Sequence, residues 1–104
     1  IIASKAPKNY VHIIFNNGSH DSVGGQPTVG FIIDRPGIAK AAGYKNTLSV
    51  DSKDALQNAM DFVKQADGPI LIEVKVKKGN RKDLGRPTTT PIQNKEALMK
   101  FLSK

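Results

Sequence analysis

Tyr10 to Gln26 reads YVHIIFNNGSHDSVGGQ, and this stretch decides the fold. In an extended run, Val11, Ile13 and Phe15 fall on one face and His12 and Ile14 on the other, so Tyr10 to Phe15 is expected to be a strand that is apolar on both sides. Such a strand sits inside a sheet covered by helices. It runs directly into Asn16, Asn17, Gly18, Ser19, His20, Asp21 and Ser22, then Gly24, Gly25 and Gln26, a dense set of amide, hydroxyl, imidazole and carboxylate groups spaced by glycine. A buried strand that ends in polar groups describes the carboxyl edge of an α/β sheet, where these folds place their sites.

The rest of the chain supplies the partners of that strand. Ile1 to Ala6 is expected to be a short helical tail stopped by Pro7, because proline disfavours helix in the residue before it. Beyond the polar loop, Pro27 to Gly30 is irregular, and Phe31-Ile32-Ile33 fits either a strand or a packed loop. Asp34 is a candidate cap for a helix with Pro36 in its first turn, Ile38, Ala39 and Ala42 on its apolar face, and Gly43 at its end. Thr47 to Val50 is a second strand. Asp51 is the expected N-cap of the next helix, in which Asp54 lies in the first turn and Leu56, Ala59, Met60 and Val63 recur at helical spacing until Gly68-Pro69 stops it. Ile70 to Val76 is a third strand whose apolar start gives way to alternating lysine, so it begins buried and emerges into water. Lys77 to Pro91 is loop, and Pro91 opens a last helix with the stripe Ala97, Leu98, Phe101 and Leu102. Strands joined through helices pair in parallel, which predicts the α/β class, a three-layer sandwich with a mainly parallel sheet.

At 104 residues the chain forms one domain at most, of a size that buries roughly 60 to 70% of its unfolded surface. Three parallel strands make a thin sheet, and Ile1-Ile2-Ala3 resembles the end of a helix begun upstream. The expectation is a partial domain, residues 1–104 being its carboxyl-terminal portion. Sixteen Lys and Arg against nine Asp and Glu give a net charge of +7, and six aromatic residues include no Trp. A basic balance raises the case for polyanion binding, but the charge is spread, with Lys75, Lys77 and Lys78 the one tight cluster, and little is present to stack on bases. A nucleic-acid or membrane partner is not expected. The absence of cysteine excludes disulfides and thiolate metal sites and fits a reducing, cytoplasmic location.

The loop itself carries chemistry. The amide oxygen of Asn17 can serve a hard cation such as Mg²⁺, which takes oxygen ligands and keeps waters and substrate phosphates in its shell. Gly18 lets the backbone turn so that the Ser19 carbonyl becomes a second ligand, and N–H groups of a glycine-rich segment suit phosphate oxygens. The bland alternative is that Asn16-Asn17-Gly18 is only a turn, since both residue types tolerate positive φ.

A strand ending in Asn-Asn resembles the closing half of the thiamine diphosphate signature, whose opening Gly-Asp-Gly lies upstream of any residue here. APKNYVHIIFNNGSHDSVGGQPTVG (6–30) and GNRKDLGRPTTTP (79–91) resemble the phosphonopyruvate decarboxylase family of thiamine diphosphate-dependent 2-oxo acid decarboxylases. The resemblance implies part of a diphosphate-binding domain, in which Asn17 ligates Mg²⁺ through its side chain and Ser19 through its carbonyl, while Gly18, His20, Gly24 and Gly25 contact the cofactor. It implies an intact, homo-oligomeric enzyme that releases CO₂ from the small 2-oxo acid 3-phosphonopyruvate and leaves phosphonoacetaldehyde. The Asp of Gly-Asp-Gly, the central region and a pyrimidine-binding domain with its activating Glu come from outside this chain, so the chain alone is expected to be inactive. Sulfopyruvate decarboxylase is the near rival within the family, and a small basic anion- or nucleic-acid-binding module built on Lys75 to Arg86 is the alternative of another class.

His20 and Asp21 are candidate catalytic residues, His20 facing substrate or a transferring proton and Asp21 orienting it; solvated loop residues held by local hydrogen bonds are the competing description. His12, inside the strand, is expected to be a core histidine satisfied by a neighbour. Arg81 and Arg86 are candidate contacts for the substrate's dianionic end, because a guanidinium offers a bidentate fork. Otherwise they pin their loop to Asp83, Glu73 or another subunit.

Overall fold

A computed structural model describes residues 1–103. Its strands in chain order are Val11–Asn16 (β1), Ser19–His20 (β2), Gln26–Pro27 (β3), Asn46–Val50 (β4) and Ile70–Lys75 (β5). The helices are Ile2–Lys5 (α1), Arg35–Ala41 (α2), Lys53–Val63 (α3) and Pro91–Leu102 (α4). β1, β5 and β4 form a three-stranded parallel sheet in that order, with Val11 and Asn46 both opposite Ile70. The expected α/β class is the one formed.

The strand at the middle of this sheet is β5, not the Tyr10 to Phe15 strand. Ile70, Leu71, Ile72, Glu73 and Val74 are all buried, whereas Phe15 is 71% and Ile13 40% exposed. The reason is topological: among the described residues β1 has β5 on one side and no strand on the other, and the face carrying Ile13 and Phe15 extends past the helix that covers β4 and β5. Sequence alternation alone does not distinguish an edge strand from a central one.

Side-chain alternation divides β5 between two layers. Ile70, Ile72 and Val74 pack with Val50 and with Ala59 of α3, joined by Val11, Leu48, Leu56 and Val63. Each such buried aliphatic side chain contributes about 1.5–3 kcal/mol, so this layer holds the sheet together. Leu71 and Glu73 face the opposite layer, where α2 lies against β4 and β5 with Ala39 buried.

Local chemistry places the helices. Asp34 caps α2 as expected, accepting from the Gly37 N–H at 2.9 Å, and Gly43 follows the helix with φ 101°. The cap of α3 is Ser52 rather than Asp51, its hydroxyl accepting from the Ala55 N–H at 3.3 Å; both residues suit the position, and Ser52 stands three places before that N–H. Val29–Phe31 forms a 3₁₀ turn, and of the two descriptions open for Phe31-Ile32-Ile33 the strand is not formed; the segment is a loop that leaves Phe31 and Ile32 exposed. Thr90 and Gln93 form a reciprocal capping box at the start of α4, with Pro91 in the first turn, yet α4 buries none of its residues. No helix among the described residues is long and apolar enough to cross a membrane.

Candidate functional site

The polar loop leaves the carboxyl end of β1 and is tied at several points. Asn16 is 5% exposed, and both its NH₂ hydrogens and its carbonyl oxygen are engaged. Its Nδ2 donates to the Gly30 carbonyl at 2.7 Å and to Glu73 Oε1 at 2.8 Å, while its Oδ1 accepts from the Gly18 N–H at 3.1 Å. The two ends of the loop are thereby joined to the central strand through one side chain.

Around Asn17 the ties are short-range. Its Oδ1 accepts from the Ser19 N–H at 3.0 Å, a turn of the kind Asn favours, and its Nδ2 donates to Asp21 Oδ2 at 3.0 Å. Asp21 also accepts from the Ser19 hydroxyl at 3.3 Å and from the Gly79 N–H at 2.7 Å, which draws the segment after β5 onto the loop. Asp21 is thus the hub of the loop. The His20 side chain is exposed and makes no hydrogen bond among the described residues, and the His20 backbone pairs with Gln26 in the short β2–β3 ladder. Gly18 adopts φ 64°, and a Cβ there would lie 2.5 Å from the Phe31 ring, so the ring closes over a backbone that only glycine allows. Gly24 and Gly25 also take positive φ, 110° and 71°, turning the chain back toward β3.

Beneath the loop lies a buried ionic group that the sequence reading did not assemble. Glu73 is 3% exposed; its Oε1 accepts from Asn16 and from Arg35 at 3.0 Å, and its Oε2 accepts from the Ser49 hydroxyl at 3.1 Å. Arg35 Nη1 also donates to the Gly30 carbonyl. Burial works to raise the Glu73 pKa, but the hydrogen bonds from Asn16, Arg35 and Ser49 together with the Arg35 charge outweigh it, and the carboxyl is held below the usual glutamate range. The available signal was a lone acid in the apolar run ILIEV, since a buried charge needs a partner. What the sequence did not reveal was which arginine answers it.

A depressed folded-state pKa means that the folded protein releases the Glu73 proton more readily than the unfolded chain. Its contribution to stability is present in full above the unfolded glutamate range and is lost as pH falls through the lower folded value. Melting temperature measured across the acid range is expected to fall more gently for Glu73→Gln than for the parent. Parallel acid limbs in the two proteins would assign the acid sensitivity elsewhere.

The candidate arginines of the carboxyl-terminal loop lie outside this group. Arg81 makes a bidentate pair with Asp83 at 3.0 and 3.1 Å, both side chains about three-quarters exposed, and Arg86 is exposed. Of the two acids considered as partners, Asp83 takes Arg81 and Glu73 takes Arg35. His12 is half-buried on the edge strand, not in the core, and its Nδ1 lies 3.2 Å from the Tyr44 hydroxyl, the neighbour that satisfies it as expected. A pocket of about 280 Å³ opens at the carboxyl ends of β4 and β5, lined by Phe31, Ile32, Ile33 and Pro36 beside Ser49, Glu73 and Lys75.

The oxygens of the loop suit a hard cation. A carbonyl oxygen carries two lone pairs, so Asn17 Oδ1 retains acceptor capacity beyond its bond to Ser19, and the Ser19 carbonyl is an oxygen donor of the same class. Among the described residues no three His, Asp or Glu side chains gather as a metal site. A cation at this loop would find amide and carbonyl oxygens rather than a cluster of acids or histidines among the described residues.

No protein-family model matches the chain. It is 38% identical over 92 residues to the phosphonopyruvate decarboxylase of Streptomyces viridochromogenes and 41% identical over 90 residues to that of Streptomyces hygroscopicus. It is 34% identical over 101 residues to the sulfopyruvate decarboxylase of Methanosarcina acetivorans. These matches take in 88%, 86% and 96% of the chain but 23%, 22% and 25% of the relatives. The chain therefore spans about a quarter of the length of the curated relatives it matches, and the resemblance carried by the two quoted motifs extends over nearly all of it.

Proposed function

We propose that the chain is the carboxyl-terminal part of the diphosphate-binding domain of a thiamine diphosphate- and Mg²⁺-dependent 2-oxo acid decarboxylase acting on 3-phosphonopyruvate. The observation that carries this reading is the identity of 38% and 41% to two phosphonopyruvate decarboxylases across most of the chain. The polar loop fits it, because it stands at the carboxyl edge of a parallel sheet, where α/β folds bind ligands. An open outer edge on β1 and the exposed Ile13 and Phe15 fit a sheet that continues in the rest of a longer polypeptide. A cytoplasmic homo-oligomer goes with the same reading.

In this assignment Asn17 and Ser19 would hold Mg²⁺, and Gly18, His20, Gly24 and Gly25 would border the cofactor. Bound thiamine diphosphate supplies the electron sink for loss of CO₂. The chain's own residues supply position. Asp21 fixes the Asn17 amide by taking its Nδ2, which leaves Oδ1 as the atom available to a cation. His20, exposed beside that point, is the proposed group of this loop to face the substrate. Arg81 and Arg86 are the proposed contacts of the phosphonate, and engagement there requires Arg81 to exchange Asp83 for the substrate. The 34% identity to a sulfopyruvate decarboxylase sustains one second reading, a sulfonate in place of the phosphonate.

The test uses the full-length protein. Titration with Mg²⁺ and thiamine diphosphate, followed by CO₂ release from phosphonopyruvate and from sulfopyruvate, is expected to give cofactor-dependent turnover that favours the phosphonate. Asn17→Ala removes a metal ligand and is expected to weaken cofactor binding by roughly 10-fold or more. Unchanged binding in Asn17→Ala would remove Asn17 from the metal shell, and absence of turnover with both substrates would overturn the decarboxylase.

A further inference from the structure

We infer that Glu73 is a positioning residue, which sets the orientation of the Asn16 amide and through it holds the loop that carries Asn17 and Ser19. The argument starts from what each group is able to do. An ionised carboxylate only accepts hydrogen bonds, so the edge of the Asn16 amide that meets it must be the NH₂ edge. Glu73 lies 2.8 Å from Asn16 Nδ2, and the same NH₂ group reaches the Gly30 carbonyl at 2.7 Å. With the NH₂ edge fixed inward, Oδ1 is turned to the Gly18 N–H, which it accepts at 3.1 Å. A flipped amide would set its oxygen against the carboxylate and the Gly30 carbonyl, three acceptors together, and would present N–H to N–H at Gly18.

Two further groups keep this lock in one state. Arg35 donates both to Glu73 and to the Gly30 carbonyl, so α2 braces the acid and the far end of the loop at once. Ser49 of β4 takes the other carboxylate oxygen at 3.1 Å, leaving Glu73 no freedom to rotate away. Space is filled as tightly as charge: a Cβ on Gly30 would lie 2.6 Å from Asn16 Oδ1 and 3.2 Å from the Gly18 Cα. Glu73 hydrogen-bonds Asn16, Arg35 and Ser49 and none of the residues assigned to the cofactor among the described residues, so it acts on them through Asn16. The inference rests on the cofactor reading only for what the loop holds.

The test compares the full-length parent with Glu73→Gln, Asn16→Ala and the double variant. Its readouts are hydrogen exchange of the peptide spanning 17–31 against that spanning 70–75, and affinity for Mg²⁺ with thiamine diphosphate. Glutamine keeps the shape of Glu73 but accepts either edge of the Asn16 amide. Glu73→Gln is expected to speed exchange in 17–31 with little change in 70–75, and to weaken cofactor binding by roughly 10- to 100-fold, the scale seen when the support behind a ligand is removed. In the Asn16→Ala background it should add nothing to either readout. Asn16→Asp, which sets a second acceptor against the carboxylate, should give the same loop-only pattern and serves should Glu73→Gln not fold. Exchange that rises equally in both peptides, exchange that does not rise in 17–31, or additive effects in the double variant would overturn the inference. If the parent binds no cofactor while the loop-only exchange pattern remains, the decarboxylase reading falls and the positioning role stands.

Discussion

Glu73→Ala is expected to cost roughly 3–5 kcal/mol of folding stability, the range for removing one member of a buried ion pair. The substitution strips partners from several groups together. Arg35, whose side chain is 26% exposed, keeps its charge without the carboxylate 3.0 Å away; Asn16 loses an acceptor at 2.8 Å while 5% exposed; and the Ser49 hydroxyl loses its own. The buried Asn16 donor carries most of the penalty, because water does not replace there what the carboxylate supplied, whereas Ser49 is exposed and Arg35 half-buried. Chemical denaturation of parent and variant measures it. Replacing Arg35 and Glu73 together by leucine should recover part of the loss, since the charge is then removed on both sides, and a single variant within about 0.5 kcal/mol of the parent would mean that the pair does not hold the fold.

Gly68→Ala is expected to be comparably damaging for a different reason. A Cβ at Gly68 would stand 2.6 Å from the Tyr10 carbonyl oxygen and 3.0 Å from those of Lys8 and Pro7, while the Gly68 N–H donates to Lys8 at 2.6 Å. These are main-chain atoms at the start of β1, which have no rotamer to move into. The entry to β5 must separate from the entry to β1, and the loss should reach roughly 3 kcal/mol, the upper part of the range for overfilled sites. Gly85→Ala is the control, because a Cβ there meets nothing within 4 Å. Denaturation midpoints that fall equally for the two variants would show that the close approach at Gly68 relaxes freely.

The contrast between these two positions explains how much was legible in the sequence. Gly68 was read only as the residue that ends α3 before Pro69, because composition reports a helix stop and not the strand that later packs across it. Capping and turn chemistry act within a few residues, so Asp34, Pro36, Gly43 and Pro91 were placed correctly, and the cap of α3 missed by one position. The polar loop of Asn17, Gly18 and Ser19 is legible at the end of β1 for the same reason: it is largely bonded to itself. Asn16, Arg35, Ser49 and Glu73 come from four separate elements, and their meeting is a product of the sheet order β1-β5-β4. Burial of Ile13 and Phe15 was over-read, since periodicity describes which face a residue takes and not what lies across from it.

Placing β5 at the centre of the sheet also sets how far apart in sequence its two pairings lie. Asn46 and Ile70, paired across β4 and β5, stand 24 positions apart, whereas Val11 and Ile70, paired across β1 and β5, stand 59 apart. Loop closure costs more entropy as the separation grows, so pairing β4 with β5 is expected to be the less costly of the two closures. During synthesis, Asn16 and its loop leave the ribosome well before Glu73 exists to orient them. The segment with the densest chemistry therefore waits, without its anchor, until the strand made last among the three gives it a shape.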